Sequence, residues 1–172
     1  SRHVMLVMHR KPDGDTAGSV LAMAHYLESL QKPHTCFCVD PLSQSLRFLP
    51  GAHKVTTDAA LWHPENARFD LLMVFDAGDL SYAGIHEYVA NLTHPTRQMT
   101  IVNVDHHKTN THFGDHNLVI PTASSTCEIV YGILSSANAI THPIATCLLV
   151  GLITDTGGFM NFATSASAIA TA

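Results

Sequence analysis

The chain has 172 residues, of which 46% are hydrophobic and 13% are charged. This length and this composition are typical of one folded domain with an apolar core, and they exclude a disordered chain. A formal net charge of −5 excludes broad binding to nucleic acid duplexes through a basic face. No apolar run reaches the ~18 residues of a membrane span, and no signal peptide precedes the first strand, so we expect a cytoplasmic protein.

Short apolar runs alternate with helical patterns along the chain. The runs predict buried strands at 4–8, 35–39, 71–75 and 100–104, with a minor strand at 55–56. Apolar residues at helical spacing predict helices at 16–30, 85–92, 124–134, 143–153 and 164–172. Strands that alternate with helices form βαβ units. We therefore expect an α/β fold, a three-layer α/β/α domain with a mainly parallel sheet of about five strands.

Most cysteines and histidines are expected to have no role in a site. Four cysteines without a CxxC pair do not make a disulfide framework, and Cys36 and Cys38 alternate within a strand, so both should be reduced and buried on one face. Nine of the thirteen histidines are expected at the surface or in loops. These are His25, His34, His53, His63, His86, His94, His112, His116 and His142.

The first group of candidate ligands follows the first strand. His9 ends that strand, and Asp13 and Asp15 lie in a turn shaped by Pro12 and Gly14. Residues two apart in an extended loop project similarly, so the two carboxylates could each serve one of two neighbouring cations. Gly14 would supply backbone freedom where carboxylates crowd a metal. The alternative is a turn whose aspartates only cap the helix that follows.

Two further carboxylates lie where an apolar element ends. Asp76 follows the strand at 71–75, and because Asp79 or Ser81 is better placed to cap the next helix, Asp76 is free to bridge two metals. Asp155 ends the apolar helix at 143–153, where a negative charge opposes the helix dipole unless a cation lies nearby. Both positions therefore favour a bound cation.

The triplet Asp105-His106-His107 follows the strand at 100–104. Adjacent histidines point in different directions, so one can bind a metal while the other meets a substrate. Asp105 is placed to fix the tautomer of an imidazole. In an open parallel sheet such segments converge at the carboxyl ends of the strands, which predicts a single site.

Carboxylate and imidazole ligands suit Mn²⁺ well, Fe²⁺ or Co²⁺ next, and Mg²⁺ less, while the lack of thiolates disfavours structural zinc. Two such cations about 3.5–4 Å apart can activate a hydroxide and polarise a phosphoryl oxygen. Their charge would also cancel most of the net charge of −5 and make the cleft attractive to phosphate. The predicted reaction is in-line attack on phosphorus.

In this order, these segments resemble the DHH phosphoesterase superfamily, whose name is the triplet at 105–107. The resemblance covers nearly the whole chain. It rests on His9 with PDGD, AGS at 17–19, FDAGD at 75–79, DHHKTN at 105–110, ASST at 123–126 and GLITDTGGF at 151–159. It implies a catalytic metal-binding DHH domain over 1–172.

The resemblance also implies residue roles. One cation would be held by His9, Asp13 and Asp76, and the other by Asp15, Asp76, His106 and Asp155, so that Asp76 is the bridge. His107, Asp76 and Asp105 would be the catalytic residues, and His107 would face the substrate phosphate. The substrate contacts implied are His107, Lys108, Ser124 and Ser125.

Within the superfamily, LRFLPG at 46–51, FGDHN at 113–117 and ASST followed by Glu128 most resemble NrnA-type oligoribonucleases and 3′,5′-bisphosphate nucleotide (pAp) phosphatases. The implied substrate is a short single-stranded oligonucleotide or a nucleotide. RecJ-type single-strand exonucleases and cyclic-dinucleotide phosphodiesterases share the core motifs. Relatives often pair, so the resemblance allows a homodimer. They also carry a C-terminal substrate-binding domain that this chain does not reach.

Two hypotheses of other classes stay open at this point. A nucleotide-binding or sensing domain would hold metal and phosphate without turnover. Alternatively, the acidic residues are only helix caps and turn formers of an ordinary doubly wound domain, and then Asp13, Asp76 and His106 need not converge.

Overall fold

The computed structural model describes residues 1–92, 99–162 and 164–172. In these ranges, the strands are β1 (Val4–Val7), β2 (His34–Phe37), β3 (Val55–Thr56), β4 (Leu71–Phe75), β5 (Thr100–Asp105) and β6 (His116–Val119). The α-helices are α1 (Gly14–Ser29), α2 (His86–Leu92), α3 (Thr126–Ser136), α4 (His142–Asp155) and α5 (Ala166–Thr171). Three short 3₁₀ helices lie at Gln44–Leu46, Ala52–Lys54 and Ala59–Trp62. In this part of the chain, no helix has the length and hydrophobicity that crossing a membrane requires.

All strands of the sheet are parallel, in the order β3-β2-β1-β4-β5-β6. The chain first builds the sheet outward from β1 to β3, and then crosses over to β4 and builds it in the other direction. The neighbours β1 and β4 therefore flank the point where the strand order reverses. In open parallel sheets, the crevice outside the carboxyl ends of these strands is where ligands bind.

Both faces of the sheet are covered by apolar side chains. Alternate residues of β1 point to opposite faces, so Val4 and Leu6 pack against α1, α3 and α4, while Met5 and Val7 pack on the side of α2. Because neither face meets water, the central strands need no polar alternation. The predicted three-layer α/β/α fold with a parallel sheet is confirmed.

The sheet has one strand more than expected, because β6 pairs with β5 at the edge. Its sequence, His-Asn-Leu-Val, is largely exposed and lacks the apolar run of a buried strand. The helix predicted at 16–30 begins earlier, at Gly14, and Asp13 is its N-cap. Gly14 does not have a positive φ. Its hydrogen is needed instead for close packing, since a Cβ would lie 2.2 Å from Thr154 Oγ1.

Some smaller expectations are also corrected. Asp79 does not cap α2: its carboxylate accepts the Tyr82 N–H at 2.7 Å, and α2 begins only at His86. His25 and His34 are partly buried in α1 and β2 rather than lying at the surface or in loops. His94 lies outside the described residues. The four cysteines are free and buried, and Cys36 and Cys38 belong to the same core cluster, as predicted.

Candidate metal centre

The predicted ligands converge at the carboxyl ends of β1, β4 and β5. His9 follows β1 and Asp76 follows β4, its neighbour in the sheet, while His106 follows β5. Three groups of imidazole and carboxylate side chains have candidate ligand atoms within 4.8 Å of one another. The groups are His9, Asp13 and Asp76; Asp15, His106 and Asp155; and Asp76, His106 and His107. All six residues predicted as metal ligands are therefore in one place.

Asp76 lies between these groups in a constrained conformation. Its φ of +58° is in the left-handed region, where only a few per cent of residues other than glycine lie. The turn is held because its N–H donates to the Val104 carbonyl at 2.9 Å, and Thr126 Oγ1 donates to its Oδ1 at 3.0 Å. The side chain is thereby aimed out of the strand end while it remains 2% exposed. Such strain is typical of functional positions.

The first group is centred on the His9 imidazole. Its Nε2 lies 3.4 Å from Asp76 Oδ2 and 3.6 Å from Asp13 Oδ2. Nδ1 lies 2.7 Å from the Arg10 carbonyl, which can only accept, so Nδ1 is the donor there and Nε2 faces the carboxylates. The other oxygen of Asp13 accepts the N–H groups of Asp15 and Thr16. Asp13 therefore caps α1 and faces His9 at the same time.

The second group is centred on the His106 imidazole. Its Nε2 lies 3.5 Å from Asp155 Oδ2, 3.6 Å from Asp76 Oδ1 and 3.9 Å from Asp15 Oδ2. The two oxygens of Asp15 accept the N–H groups of Thr126 and Cys127 at 2.6 and 2.8 Å, at the start of α3. Each carboxylate oxygen has a second lone pair, so these bonds leave Asp15 able to bind a cation.

In the first group, the contacts between His9 and the two carboxylates shift the pKa values of His9 and Asp13. Burial lowers the pKa of His9, but the Asp13 and Asp76 carboxylates outweigh this effect and raise it to about 11. Burial raises the pKa of Asp13, yet the net shift is downward because His9 and the N–H groups of α1 stabilise its charge. The proton on His9 thus compensates the negative charge of the two carboxylates. A cation bound at the same place would compensate that charge as well.

The second group carries an excess of negative charge. Burial and the neighbouring Asp76 raise the pKa of Asp15 well above its usual value, against the effect of the two N–H groups at α3. Burial also raises the pKa of Asp155, with Asp76 and Asp13 adding to the effect and His106 opposing it. The unfavourable ionisation of two neighbouring carboxylates would be relieved by a divalent cation.

The Asp155→Asn variant is expected to melt about 2 °C higher than the original protein in a chelator at pH 7.5. A raised pKa means that the ionised carboxylate destabilises the fold at any pH above that value, and the amide removes the charge. At pH 3 the carboxyl is protonated in both states, so the gain should vanish. Thermal denaturation at both pH values checks this, with the exposed helix cap Asp58→Asn as the control. An equal gain at both would contradict the charge explanation.

Asp105 supports the site by holding His107 and the backbone that follows β5. It is completely buried, and its Oδ1 accepts the N–H groups of His106 and His107 and the Nδ1–H of His107 at 2.8 Å. Its Oδ2 accepts Asn110 Nδ2–H. With both oxygens engaged, Asp105 orients His107 and raises the pKa of that imidazole, mainly through their hydrogen bond. The same bond occupies Nδ1 of His107, although this atom also lies 3.6 Å from Asp76 Oδ1.

Of the residues predicted to contact substrate, two are accessible and two are buried. His107 is half-exposed beside the metal groups, and Lys108 next to it is exposed. Ser124 is buried, and its Oγ accepts the Ser165 N–H at 2.7 Å. Ser125 is the N-cap of α3, with its Oγ accepting the Glu128 N–H. Both hydroxyls thus have structural partners, and their contact with substrate stays a prediction.

Residues not predicted from the sequence complete the site. Thr126 holds Asp76, Asn110 holds Asp105, and Thr16 Oγ1 accepts the His9 N–H while it donates to the Phe75 carbonyl. Each lies within or next to one of the sequence motifs PDGD, DHHKTN and ASST, and this position is the only feature of the sequence that indicated it. Cys127 Sγ also lies near Asp15, but burial and the Asp15 charge raise the pKa of its thiol, so it stays neutral. The donor set is therefore oxygen and imidazole nitrogen, which fits a divalent cation of the Mn²⁺ or Mg²⁺ type.

Several solved structures share this fold. An exopolyphosphatase-related protein from Bacteroides fragilis has a TM-score of 0.86 at 23% identity, over 99% of this chain and 52% of that one. A putative family II inorganic pyrophosphatase from Methanococcus jannaschii has a TM-score of 0.62 at 18% identity, over 98% of this chain and 53% of that one. At these identities, the similarity shows the fold alone.

Relatives are also found by sequence. The bifunctional oligoribonuclease and PAP phosphatase NrnA of Thermus thermophilus is 31% identical over 158 residues, which are 91% of this chain and 44% of that protein. An uncharacterised protein of Mycoplasma genitalium is 25% identical over 90% of this chain and 45% of its own length. The chain thus spans less than half the length of these relatives. A model of the DHH family, N-terminal domain, matches residues 3–152, and the chain therefore belongs to the DHH family.

Proposed function

We propose that the protein is a phosphoesterase that uses two divalent cations to hydrolyse phosphodiester or phosphomonoester bonds of short oligonucleotides or of pAp. Membership of the DHH family supports the reaction class. The activities by which the Thermus thermophilus relative is named support the substrate class. Because this chain spans 44% of that relative, we propose that further residues of a longer parent contribute to substrate capture.

The observation that carries the proposal is the position of the two oxygens of Asp76. Oδ2 faces His9 at 3.4 Å, and Oδ1 faces His106 at 3.6 Å. Each imidazole has its own carboxylate in addition, Asp13 for His9 and Asp155 for His106. One carboxylate shared by two separate imidazole and carboxylate groups is the arrangement that a two-cation site needs.

The ligand assignment follows from these groups. We propose that His9, Asp13 and Asp76 would hold one cation, and that Asp15, Asp76, His106 and Asp155 would hold the other. When bound, such a pair supplies an activated hydroxide and polarises the phosphoryl oxygen. We propose Mn²⁺ because the site mixes carboxylate with imidazole and offers no thiolate. The cytoplasmic location and the homodimer remain predictions.

His107 is proposed to act on the substrate directly. Its raised pKa favours the charged imidazolium, which can donate a hydrogen bond from Nε2 to a phosphate oxygen. Asp105 keeps Nδ1 as the donor on the other side of the ring, so it is a positioning residue. Lys108 is exposed beside them, where it can add positive charge toward the substrate.

The proposal is tested by hydrolysis of pAp and of a short RNA with Mn²⁺, by the full-length parent and by this 172-residue chain side by side. We expect turnover by the parent and little or none by the shorter chain. Inorganic phosphate release and separation of the RNA products give the two readouts.

A metal-binding measurement on the shorter chain completes the test. We expect Mn²⁺, added after chelation, to raise its melting temperature by mass action. If the parent binds Mn²⁺ but hydrolyses neither substrate, the protein is a sensing domain and the proposed activity is wrong. If Mn²⁺ leaves the melting curve unchanged, the two-cation site itself is wrong.

A further inference from the structure

A cavity on the α2 side of the sheet is not explained by the metal centre. Its volume is about 490 Å³, and Trp62, His63, Pro64 and Tyr88 are among the residues that line it. Trp62 is the only tryptophan of the chain, and it is 2% exposed. The Tyr88 ring stacks on it with the centroids 5.3 Å apart and 16° between the planes. The cavity therefore has an aromatic wall.

The indole of Trp62 has an unmet hydrogen bond. Its Nε1–H is buried, and within 1–92, 99–162 and 164–172 it has no partner. A buried N–H group without an acceptor is rare in folded proteins, and each case calls for an explanation. The Nε1 atom itself has almost no solvent-accessible surface, so this donor reflects how the indole is packed and does not identify a ligand. The cavity beside it is large enough for a flat heterocycle, and its aromatic wall matches a nucleobase.

A second cavity shares a lining residue with this one. It has a volume of about 340 Å³ and is lined by Arg10, Ser81, Gly84, His86, Glu87 and Tyr88. Tyr88 thus lines both cavities. At the other end, the Arg10 N–H donates to the Tyr82 carbonyl at 3.4 Å, and the Tyr82 ring contacts the ring of His9 with the centroids 5.0 Å apart. A series of neighbouring residues thus leads from His9 through Arg10 and Tyr88 to Trp62.

The chemistry of this path fits a single strand of nucleic acid. Arg10 is exposed, and its side chain lies beside Gly84, where a Cβ would be 3.5 Å from Nε. Glu87 is the one acidic side chain among the lining residues of the second cavity. An arginine is suited to phosphate because its planar group donates two parallel hydrogen bonds. Cationic groups followed by aromatic rings are how proteins hold unpaired strands with little sequence preference.

We propose that this path, which we call the strand path, binds the part of a short oligonucleotide that leads away from the scissile phosphate. Arg10 holds the next phosphate, and the cavity at Trp62 and Tyr88 holds a base. The inference rests on the proposed function and adds a binding site for substrate to it. It explains how one chain can act on oligonucleotides that are longer than a single nucleotide.

The test uses the fluorescence of Trp62, which reports on this cavity alone because the chain has no other tryptophan. A short single-stranded oligoadenylate is titrated into the 172-residue chain in EDTA, so that no hydrolysis can occur. We expect saturable quenching that weakens with salt, since phosphate contacts release counterions. Adenosine, which has no phosphate, should quench only at much higher concentration.

Two variants test the two parts of the strand path. Arg10→Gln should weaken oligoadenylate binding by roughly tenfold or more and reduce the salt dependence by about one phosphate contact. Arg47→Gln, at an exposed arginine that lines a different cavity, is the matched control and should bind like the original protein. Tyr88→Leu should weaken binding by roughly fivefold or more through lost stacking, while Tyr88→Phe should retain it.

The outcomes separate this inference from the proposed function. Absence of quenching, or equal weakening by Arg10→Gln and Arg47→Gln, would overturn the strand path even if the parent hydrolyses RNA. Equal affinity for adenosine and oligoadenylate would overturn it as well, because the cavity would then be a nucleoside site without a phosphate contact. Quenching that depends on Arg10 supports it whether or not turnover is observed.

Discussion

Replacing Asp76 by alanine is expected to abolish hydrolysis by the full-length parent, with a loss of roughly a thousandfold or more, since polarisation by bound metal contributes several kcal/mol to such reactions. Asp76 is the one side chain shared by the His9 and His106 groups. Its removal would therefore disturb both cation positions at once. The rate of pAp or short RNA hydrolysis with saturating Mn²⁺ is the measurement.

The Asp76→Asn variant shows whether the loss comes from the missing charge or from a disturbed fold. Asparagine tolerates the left-handed φ of +58° better than alanine and has the same size as aspartate. We expect Asp76→Asn to lose as much activity as Asp76→Ala while it melts no lower in a chelator. Asp58→Asn, at an exposed helix cap, is the control and should keep full activity. Undiminished hydrolysis by Asp76→Ala would contradict the proposed mechanism.

Gly151→Ala is expected to lower the free energy of unfolding by about 1–3 kcal/mol, the usual effect of overpacking a tight core. Gly151 lies in α4 where this helix meets α1 and α3, and a Cβ would be 2.2 Å from Cys127 Sγ and 2.9 Å from Asp15 Oδ1. Relief of this clash would also displace the Asp15 carboxylate, so the Mn²⁺-dependent rise in melting temperature should shrink. Urea denaturation and melting curves with and without Mn²⁺ measure the two effects.

Gly132→Ala is the matched control for Gly151→Ala. Gly132 is an exposed glycine of α3, and a Cβ there would meet nothing within 4 Å. Alanine is the better helix former, so this variant should be more stable by about 0.5–1 kcal/mol. Adding Cys127→Ala to Gly151→Ala should restore part of the lost stability, because the nearest atom is removed. Equal effects of the two glycine substitutions would refute the packing argument.

The central part of the fold is predictable from the sequence because its strands are buried on both sides. The runs of β1, β4 and β5 contain few polar residues, and their length is too short for a helix. The edge strand β6 is not predictable in this way, since its side chains are exposed and its order comes from pairing with β5. An edge strand of this kind is formed by pairing with its neighbour, and the residues of the strand itself do not indicate that pairing.

In the candidate site as well, some residues could be predicted from the sequence and others could not. The predicted ligands could be found because they lie in the segments that follow β1, β4 and β5 or at the end of α4, and parallel strands bring such segments together. The residues that support them could not be found from position alone. Asp15 accepts the N–H of Thr126 and so holds the start of α3 in place. In that position, the hydroxyl of Thr126 donates to Asp76. Asn110 reaches Asp105 only through the return of the loop after β5. These contacts follow from the assembled fold.

The ligands are also far apart along the chain, from His9 to Asp155, and they come from four separate segments, which follow β1, β4 and β5 or end α4. An unfolded chain holds no such group of donors, and the full set exists only when α4, which carries Asp155, has packed against α1. Long-range contacts of this kind form late and slowly in folding. A divalent cation held by this set would therefore distinguish finished molecules from unfinished ones, and resistance to proteolysis would rise with the supply of that cation.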